Sequence, residues 1–287
     1  MIASGTRHCQ DLFALFLCSV CSVPFAQCSL PGNTGLAQLS VQSGQRPSLS
    51  ANWMNFFSEF PRFLLTSSIG IEPERLNRCH DVLIERNRNL IRGRRILDIG
   101  SHDGRWAFAA LKQGAAHVTG IEMREALVCK AEETFRHYGI PAERYSFICG
   151  EFFEAARRLM GVFETVFCFG FFYHTLRQAE LLTLVSQLKA SAVIIDTAIV
   201  PASAGEASIR VVRESSREEG NGPALACAVT DEAIVGIPTL GAVILLLEYF
   251  GYAAEVVDWW QYLARARDLT DLADYAAGER ATIIGRR

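Results

Sequence analysis

The stretch Arg94 to Glu122, RRILDIGSHDGRWAFAALKQGAAHVTGIE, restricts what this chain can fold into more than any other. Arg95 to Ile99 is a short apolar run ending at Gly100, the pattern of a strand buried on both faces in a parallel sheet. A glycine-bearing turn, Gly100 to Gly104, follows. Arg105 to Gln113 then has amphipathic helical spacing and stops at Gly114, the residue type that ends helices at positive φ. His117 to Ile121 is a second strand and delivers Glu122 at its carboxyl end. Strand, glycine turn, helix, strand and acid, in that order, make a βαβ nucleotide-binding unit.

The turn selects among nucleotides. A dinucleotide or P-loop site brings backbone amides close to a pyrophosphate, with glycine at each point of near approach and no acid there. Here only two glycines remain, His102 takes the middle position of the dinucleotide pattern, and Asp103 would repel phosphate. No Gly-Lys-Ser/Thr follows. Glu122, about twenty residues past the turn, suits a carboxylate that holds a ribose diol. These features call for an adenosine ligand that lacks a pyrophosphate and carries positive charge. S-adenosylmethionine is such a ligand, and Asp98 favours its cation.

Leu97-Asp-Ile-Gly-Ser-His-Asp-Gly104 with Gly120-Ile-Glu122 resembles the first two motifs of the class I S-adenosylmethionine-dependent methyltransferases, and the segments downstream keep that family's order to the C-terminus. The resemblance implies a Rossmann-like α/β fold, a doubly wound and mostly parallel sheet with an antiparallel C-terminal strand pair. It implies cofactor contacts at Asp98, Gly100, Ser101, His102, Gly104, Glu122 and Met123. It also implies contacts at Gly150, Glu151 and Phe152, where the family's acid faces the adenine amino group and the aromatic packs on the ring. An acid opening a helix is equally favoured by the helix dipole, so Glu151 has a second reading. His102 departs from the commonest family pattern, which has a small residue there.

Further along, Ala126 to Tyr138 reads as a helix, Tyr145 to Cys149 as the third strand and Thr165 to Phe169 as the fourth. Ligands of open α/β sheets lie outside the strand ends where strand order reverses, here between the first and fourth strands. That position assigns Phe169 and Gly170 to the cofactor and puts Tyr173 and His174 beside the reactive methyl. Gly170-Phe-Phe-Tyr-His174 also resembles the Gly-x-x-Tyr-His of the tRNA wobble-uridine carboxymethyltransferases and of related methyltransferases. Gln178 to Leu188 is a helix and Ala192 to Asp196 the fifth strand. Residues 201–236 are an insertion, read as a loop from Ala202 to Ala224 that covers the sheet edge as a lid or substrate selector. Pro238 opens an apolar helix to Phe250, and Ala254 to Trp259 and Ala281 to Ile284 are the last two strands, with helix expected between Gln261 and Gly278.

Before the core, residues 51–93 read as a helical cap. Trp53, Phe56, Phe57, Phe60 and Phe63 recur at helical spacing up to the interruption at Pro61, a stripe that belongs to the core or to a lid packed on it rather than to substrate. Pro73 begins a second helix through Leu90. Arg86, Arg88, Arg92, Arg94 and Arg95 crowd its end, either as a solvated face or as an RNA contact. Residues 1–50 form a disordered or signal-like extension: Leu12 to Val20 is apolar, but Asp11 and the lack of a small-x-small cleavage site argue against a signal peptide. Its deletion is expected to leave folding and cofactor binding intact. Cys9, Cys18, Cys21 and Cys28 there include one Cys-x-x-Cys, whereas structural zinc sites usually pair two, so no metal is expected. Cys79, Cys129, Cys149, Cys168 and Cys227 lie in or beside apolar segments and are expected to be small buried hydrophobes of a cytoplasmic, reducing setting.

The 287 residues, half of them hydrophobic, suffice for one catalytic domain with appendages, and a net charge of -3 supplies no global field for nucleic acid. No apolar run approaches the roughly 20 residues that span a bilayer. The sequence therefore reads as a methyltransferase using S-adenosylmethionine on a small-molecule acceptor. Alternatives are an RNA-modifying methyl- or carboxymethyltransferase, with contacts through Arg86, Arg88 and Arg92, and a non-catalytic cofactor-binding subunit. His174 is the best-placed base for a hydroxyl or amide acceptor, or else a residue that merely braces its loop. Carboxymethyl transfer needs positive side chains near the sulfonium, and no local motif supplies one, so ordinary methyl transfer is expected.

Overall fold

In the computed structural model, the described residues are 55–66, 73–159, 161, 163–216, 231–264 and 270–287. The chain divides into Met1–Ala51 and Asn52–Arg287, and the described residues all belong to the second unit. The extension with its cysteine cluster, Trp53, Cys227 and part of the 201–236 insertion lie outside the described residues.

The cap comprises α1 (Phe56–Glu59), a 3-10 turn at Pro61–Leu64, α2 (Glu74–His80), a π-helical turn at Asp81–Glu85 and α3 (Arg88–Ile91). Pro61 ends α1 and also opens the 3-10 turn, because a first helical position has no amide bond to lose. Phe56, Phe57 and Phe63 are buried, and the rings of Phe60 and Phe63 lie 4.8 and 5.1 Å from Phe108. The aromatic stripe is thus core, as its spacing indicates. The helix expected from Pro73 to Leu90 contains the π turn. Beyond that turn the buried Asn87 amide donates to the carbonyls of Val82 and Leu83 at 3.0 and 3.1 Å.

The core alternates β1 (Arg95–Ile99), α4 (Arg105–Lys112), β2 (His117–Glu122), α5 (Glu125–His137), β3 (Tyr145–Cys149), α6 (Phe152–Arg158), β4 (Thr165–Phe169), α7 (Gln178–Gln187) and β5 (Ala192–Ala198). Next come β6 (Ile209–Ser215), β7 (Glu232–Pro238), α8 (Leu240–Tyr249), β8 (Ala253–Val256), α9 (Trp260–Leu263), α10 (Ala273–Ala276) and β9 (Arg280–Arg286). Seven strands form one sheet in the order β3-β2-β1-β4-β5-β9-β8. β1 to β5 are parallel, and β9 runs antiparallel to both neighbours. Strand order reverses between β1 and β4, as the sequence requires.

Consecutive strand residues feed opposite cores, as a two-residue period dictates. Ile96, Phe167, Ile194 and Ile284 join the cap, α4 and Phe135 of α5 on one face. Leu97, Cys168, Ile195 and Ile283 join α6, α7 and α8 on the other. Both faces are covered, the usual condition of a parallel sheet.

Three expectations are corrected. The insertion is not simply a loop: β6 and β7 pair antiparallel as a separate ribbon. Pro238 closes β7, and α8 starts after Thr239, whose Oγ1 accepts the Ala242 amide at 3.2 Å. Cys79 and Cys168 are buried, but Cys129 and Cys149 are exposed on α5 and at the end of the edge strand β3.

Candidate active site

The turn after β1 is built from positive φ angles: +66° at Gly100, +51° at His102 and +76° at Gly104. A Cβ at Gly104 would stand 2.8 Å from the Phe147 ring and one at Gly100 2.9 Å from Phe171, so both glycines are required by packing as well as by conformation. Around this turn a cavity of about 660 Å³ lies at the carboxyl ends of the parallel strands.

One half of the cavity is lined by Gly100, His102, Glu122, Met123, Gly150, Glu151 and Phe152. Glu122 is held at both oxygens, one accepting the His102 amide at 3.0 Å and the other the Arg124 amide at 2.9 Å. A Cβ at Gly150 would meet nothing within 4 Å, so the wall there is open. Glu151 caps α6 by accepting the Glu154 amide at 2.9 Å, while its other oxygen is 3.6 Å from Arg177. The helix-capping reading of Glu151 therefore holds, and the same side chain lines the cavity.

Asp98, Ser101 and Gly104 do not line the cavity; they form the layer beneath it. Asp98 is buried, and its Oδ2 has no hydrogen-bond partner among the described residues. Burial pushes its carboxyl up to about 8, with Glu122 and Asp103 adding to the rise against a backbone bond from Ala107. Asp103 is the opposite case. Burial alone would raise it, but the Arg105 guanidinium and His102 outweigh burial and hold it well below the usual carboxylate range. Arg105 binds it twice, at 2.8 and 2.9 Å. The expected phosphate repulsion by Asp103 is therefore corrected: its charge is spent inside the protein, and Arg105 lines the cavity instead.

The other half contains Phe169 and Gly170, then Tyr173 and His174 on the 3-10 turn Phe172–His174. Opposite them are side chains with no local sequence signal. Asp196, at the carboxyl end of β5, accepts from Tyr275 at 3.0 and 3.1 Å, from Arg280 at 3.0 Å and from Thr282 at 2.7 Å. Tyr275 stacks on Trp259 at 3.6 Å. Arg75 from α2 binds Asp274 twice, at 2.7 and 2.8 Å, and Asp274 lies 3.8 Å from Arg280. A ladder Arg75, Asp274, Arg280, Asp196 thus crosses the cavity wall. It places two arginines at a site where the sequence indicated none.

Residues 96–191 match the family model described as a methyltransferase domain. That stretch is similar to methyltransferase domains. No curated protein sequence matches the chain. Among solved structures it resembles the N-terminal domain of EvdMO1 with SAH bound, at a TM-score of 0.52 and 20% identity over 72% of this chain and 80% of that one. It also resembles an S-adenosylmethionine-dependent methyltransferase from Mesorhizobium loti, at a TM-score of 0.50 and 18% identity over 72% of this chain and 98% of that one. At these identities the likeness speaks for the shared fold. Among the described residues no helix is long and apolar enough to cross a membrane.

Proposed function

We propose that the chain is an active methyltransferase whose acceptor is a small molecule. The observation that carries this is the size of the cavity. About 660 Å³ falls within the range of sites that hold a single drug-sized ligand, yet it must take cofactor and acceptor together. The acceptor half is lined by Leu76, Cys79 and Leu83 of the cap, by Trp106 and Tyr275, and by Ala233 and Ile234 of the β6–β7 ribbon.

The residues of the first half suit S-adenosylmethionine. The two-point anchoring of Glu122 leaves its remaining lone pairs for a ribose diol. Asp98, with a bare buried oxygen, favours a cation nearby. The open wall at Gly150, between Met123 and Phe152, suits the adenine. When bound, the cofactor supplies a methyl group already activated on a sulfonium. The protein's part is to align the acceptor and exclude water, which is worth several kcal/mol of barrier. Tyr173 and His174 are assigned to the acceptor side.

The arginine cluster favours this reading over an RNA acceptor. Arg86 is engaged with Glu255 at 2.5 Å, and Arg94 and Arg95 stand at the amino end of β1, whereas the cavity opens at its carboxyl end. At about 3.3 Å per residue the strand separates them by roughly 16 Å. Incubation with methyl-labelled S-adenosylmethionine, a small-metabolite extract and bulk tRNA tests the assignment. Label is expected in the small-molecule fraction. Label confined to RNA would overturn the acceptor class, and absence of cofactor binding by calorimetry would overturn the whole reading.

A further inference from the structure

Glu214, on β6, meets His174 across the edge of the cavity, with Oε2 2.8 Å from Nδ1. An ionised carboxylate only accepts hydrogen bonds, so at this distance the proton of the pair belongs on Nδ1. The neutral imidazole then has a bare Nε2. That nitrogen is buried and has no partner among the described residues, although the His174 side chain belongs to the cavity wall. A buried acceptor without a donor costs free energy until one arrives. The missing partner is therefore a hydrogen-bond donor carried by whatever enters the cavity.

The charge of that molecule is set by the opposite wall. Arg75 is matched by Asp274, a third of whose side chain remains exposed, and Arg280 by the buried Asp196. The charges of both arginines are thus already offset, so a carboxylate gains less there than beside a bare cation, and an ammonium would have to compete with Arg280 for Asp196 and leave the arginine uncompensated, a large penalty in a buried site. An uncharged ligand disturbs neither. The ribbon contributes at two points: Ala233, which pairs with Glu214 in the β6–β7 ladder, lines the cavity, and Glu214 itself holds the histidine.

We propose that Glu214 is a positioning residue that fixes the proton of His174 on Nδ1, so that Nε2 receives the hydroxyl of an uncharged acceptor, most simply an alcohol or phenol. This rests on the methyltransferase reading above and names its acceptor class. In the reaction the acceptor O–H bond breaks and its proton moves to Nε2 while the oxygen bonds the methyl carbon. The carbon–sulfur pair stays with sulfur. Glu214 remains a carboxylate beside the imidazolium, which then releases the proton to water.

Nitrogen-15 NMR of His174 in the full chain, saturated with S-adenosylhomocysteine, tests the geometry. The wild type is expected to carry its proton on Nδ1. Glu214→Ala should move the proton to Nε2, and Glu214→Gln, whose amide oxygen still accepts, should restore Nδ1. A wild-type proton on Nε2, or no change in Glu214→Ala, overturns the proposal. In the same samples phenol, benzoate and benzylamine serve as probes: phenol should shift the Nε2 resonance and bind most tightly. A preference for either charged probe, or no Nε2 response to saturating phenol, overturns the acceptor class. Affinity for S-adenosylhomocysteine separates the two levels, since its loss in the wild type counts against the methyltransferase reading, whereas normal affinity with the wrong tautomer counts against Glu214 alone.

Discussion

Asp196 and Arg280 face each other at 3.0 Å, on neighbouring antiparallel strands β5 and β9, and both side chains are almost entirely buried. Asp196 also takes the hydroxyls of Tyr275 and Thr282, so one carboxylate joins the end of the parallel sheet to β9 and to α10. Removing one member of a buried pair leaves the other charge uncompensated, which typically costs 3 to 5 kcal/mol. Asp196→Ala is therefore expected to lower unfolding free energy by about 3 to 5 kcal/mol in urea titrations. A loss below about 1 kcal/mol would show that water or Asp274 takes over the arginine.

Glu122 supplies the second prediction. Both of its oxygens are held by backbone amides, so its position is set before any ligand arrives. Glu122→Ala is expected to weaken S-adenosylmethionine by about 1 to 3 kcal/mol, the usual cost of losing a charged hydrogen-bond partner. Calorimetry on a folded variant decides it, and an unchanged affinity places Glu122 outside the ribose site.

Asp98 links cofactor binding to protons. Its carboxyl titrates near 8 in the folded protein against 3.8 in the open chain, so between these values the folded state holds a proton that the unfolded state has lost. This group's contribution makes the free protein lose stability as pH rises from about 4 to about 8, then level off. A cation at Asp98 favours the ionised form, so binding of S-adenosylmethionine at pH 7 should release close to one proton. Calorimetry in buffers of different ionisation enthalpy measures this, and Asp98→Asn should abolish it. Zero release from the wild type would place the cation elsewhere.

The chain should bind S-adenosylmethionine and S-adenosylhomocysteine but not NAD. The reason now rests on His102 alone, whose side chain lines the cavity where a pyrophosphate needs close backbone approach, because Asp103 is neutralised by Arg105. Tight NAD binding in a parallel titration would sink this.

Ordinary methyl transfer is still expected, although Arg75 and Arg280 do reach the cavity. Each is engaged by an aspartate, which offsets its charge before any extra carboxylate on the cofactor arrives. In competition binding, carboxy-S-adenosylmethionine should not outcompete S-adenosylmethionine. A strong preference for the carboxylated form that Tyr173→Phe removes would reverse the conclusion.

What could be read from sequence follows the range of the interactions. β3 and β4 were legible to the residue because buried apolar runs bounded by Gly150 and Gly170 report themselves locally. The turn at Gly100 to Gly104 and the acid at Glu122 were legible for the same reason. β6 was not: Ile-Arg-Val-Val-Arg-Glu-Ser shows solvent on most of its length, and only pairing with β7 makes it a strand. Pro238 read as a helix start because proline opens helices, but the cap is Thr239 one residue later. Arg75, 199 residues from Asp274, had no short-range pattern at all, and the same distance hid the ladder and the Glu214 contact with His174.

The ribbon has one more implication. Among the described residues β6 and β7 pair as strands only with each other, and the ribbon is fastened to the body at points such as the Val200 amide on the Pro238 carbonyl at 2.9 Å and the Gln178 amide on the Gly236 carbonyl at 2.8 Å. The part of the wall facing the acceptor can thus mutate, lengthen or be transplanted as a cassette while the seven-stranded sheet stays intact. Divergence among proteins built on this scaffold should concentrate between Ile209 and Pro238, and laboratory evolution of new acceptor scope should begin there.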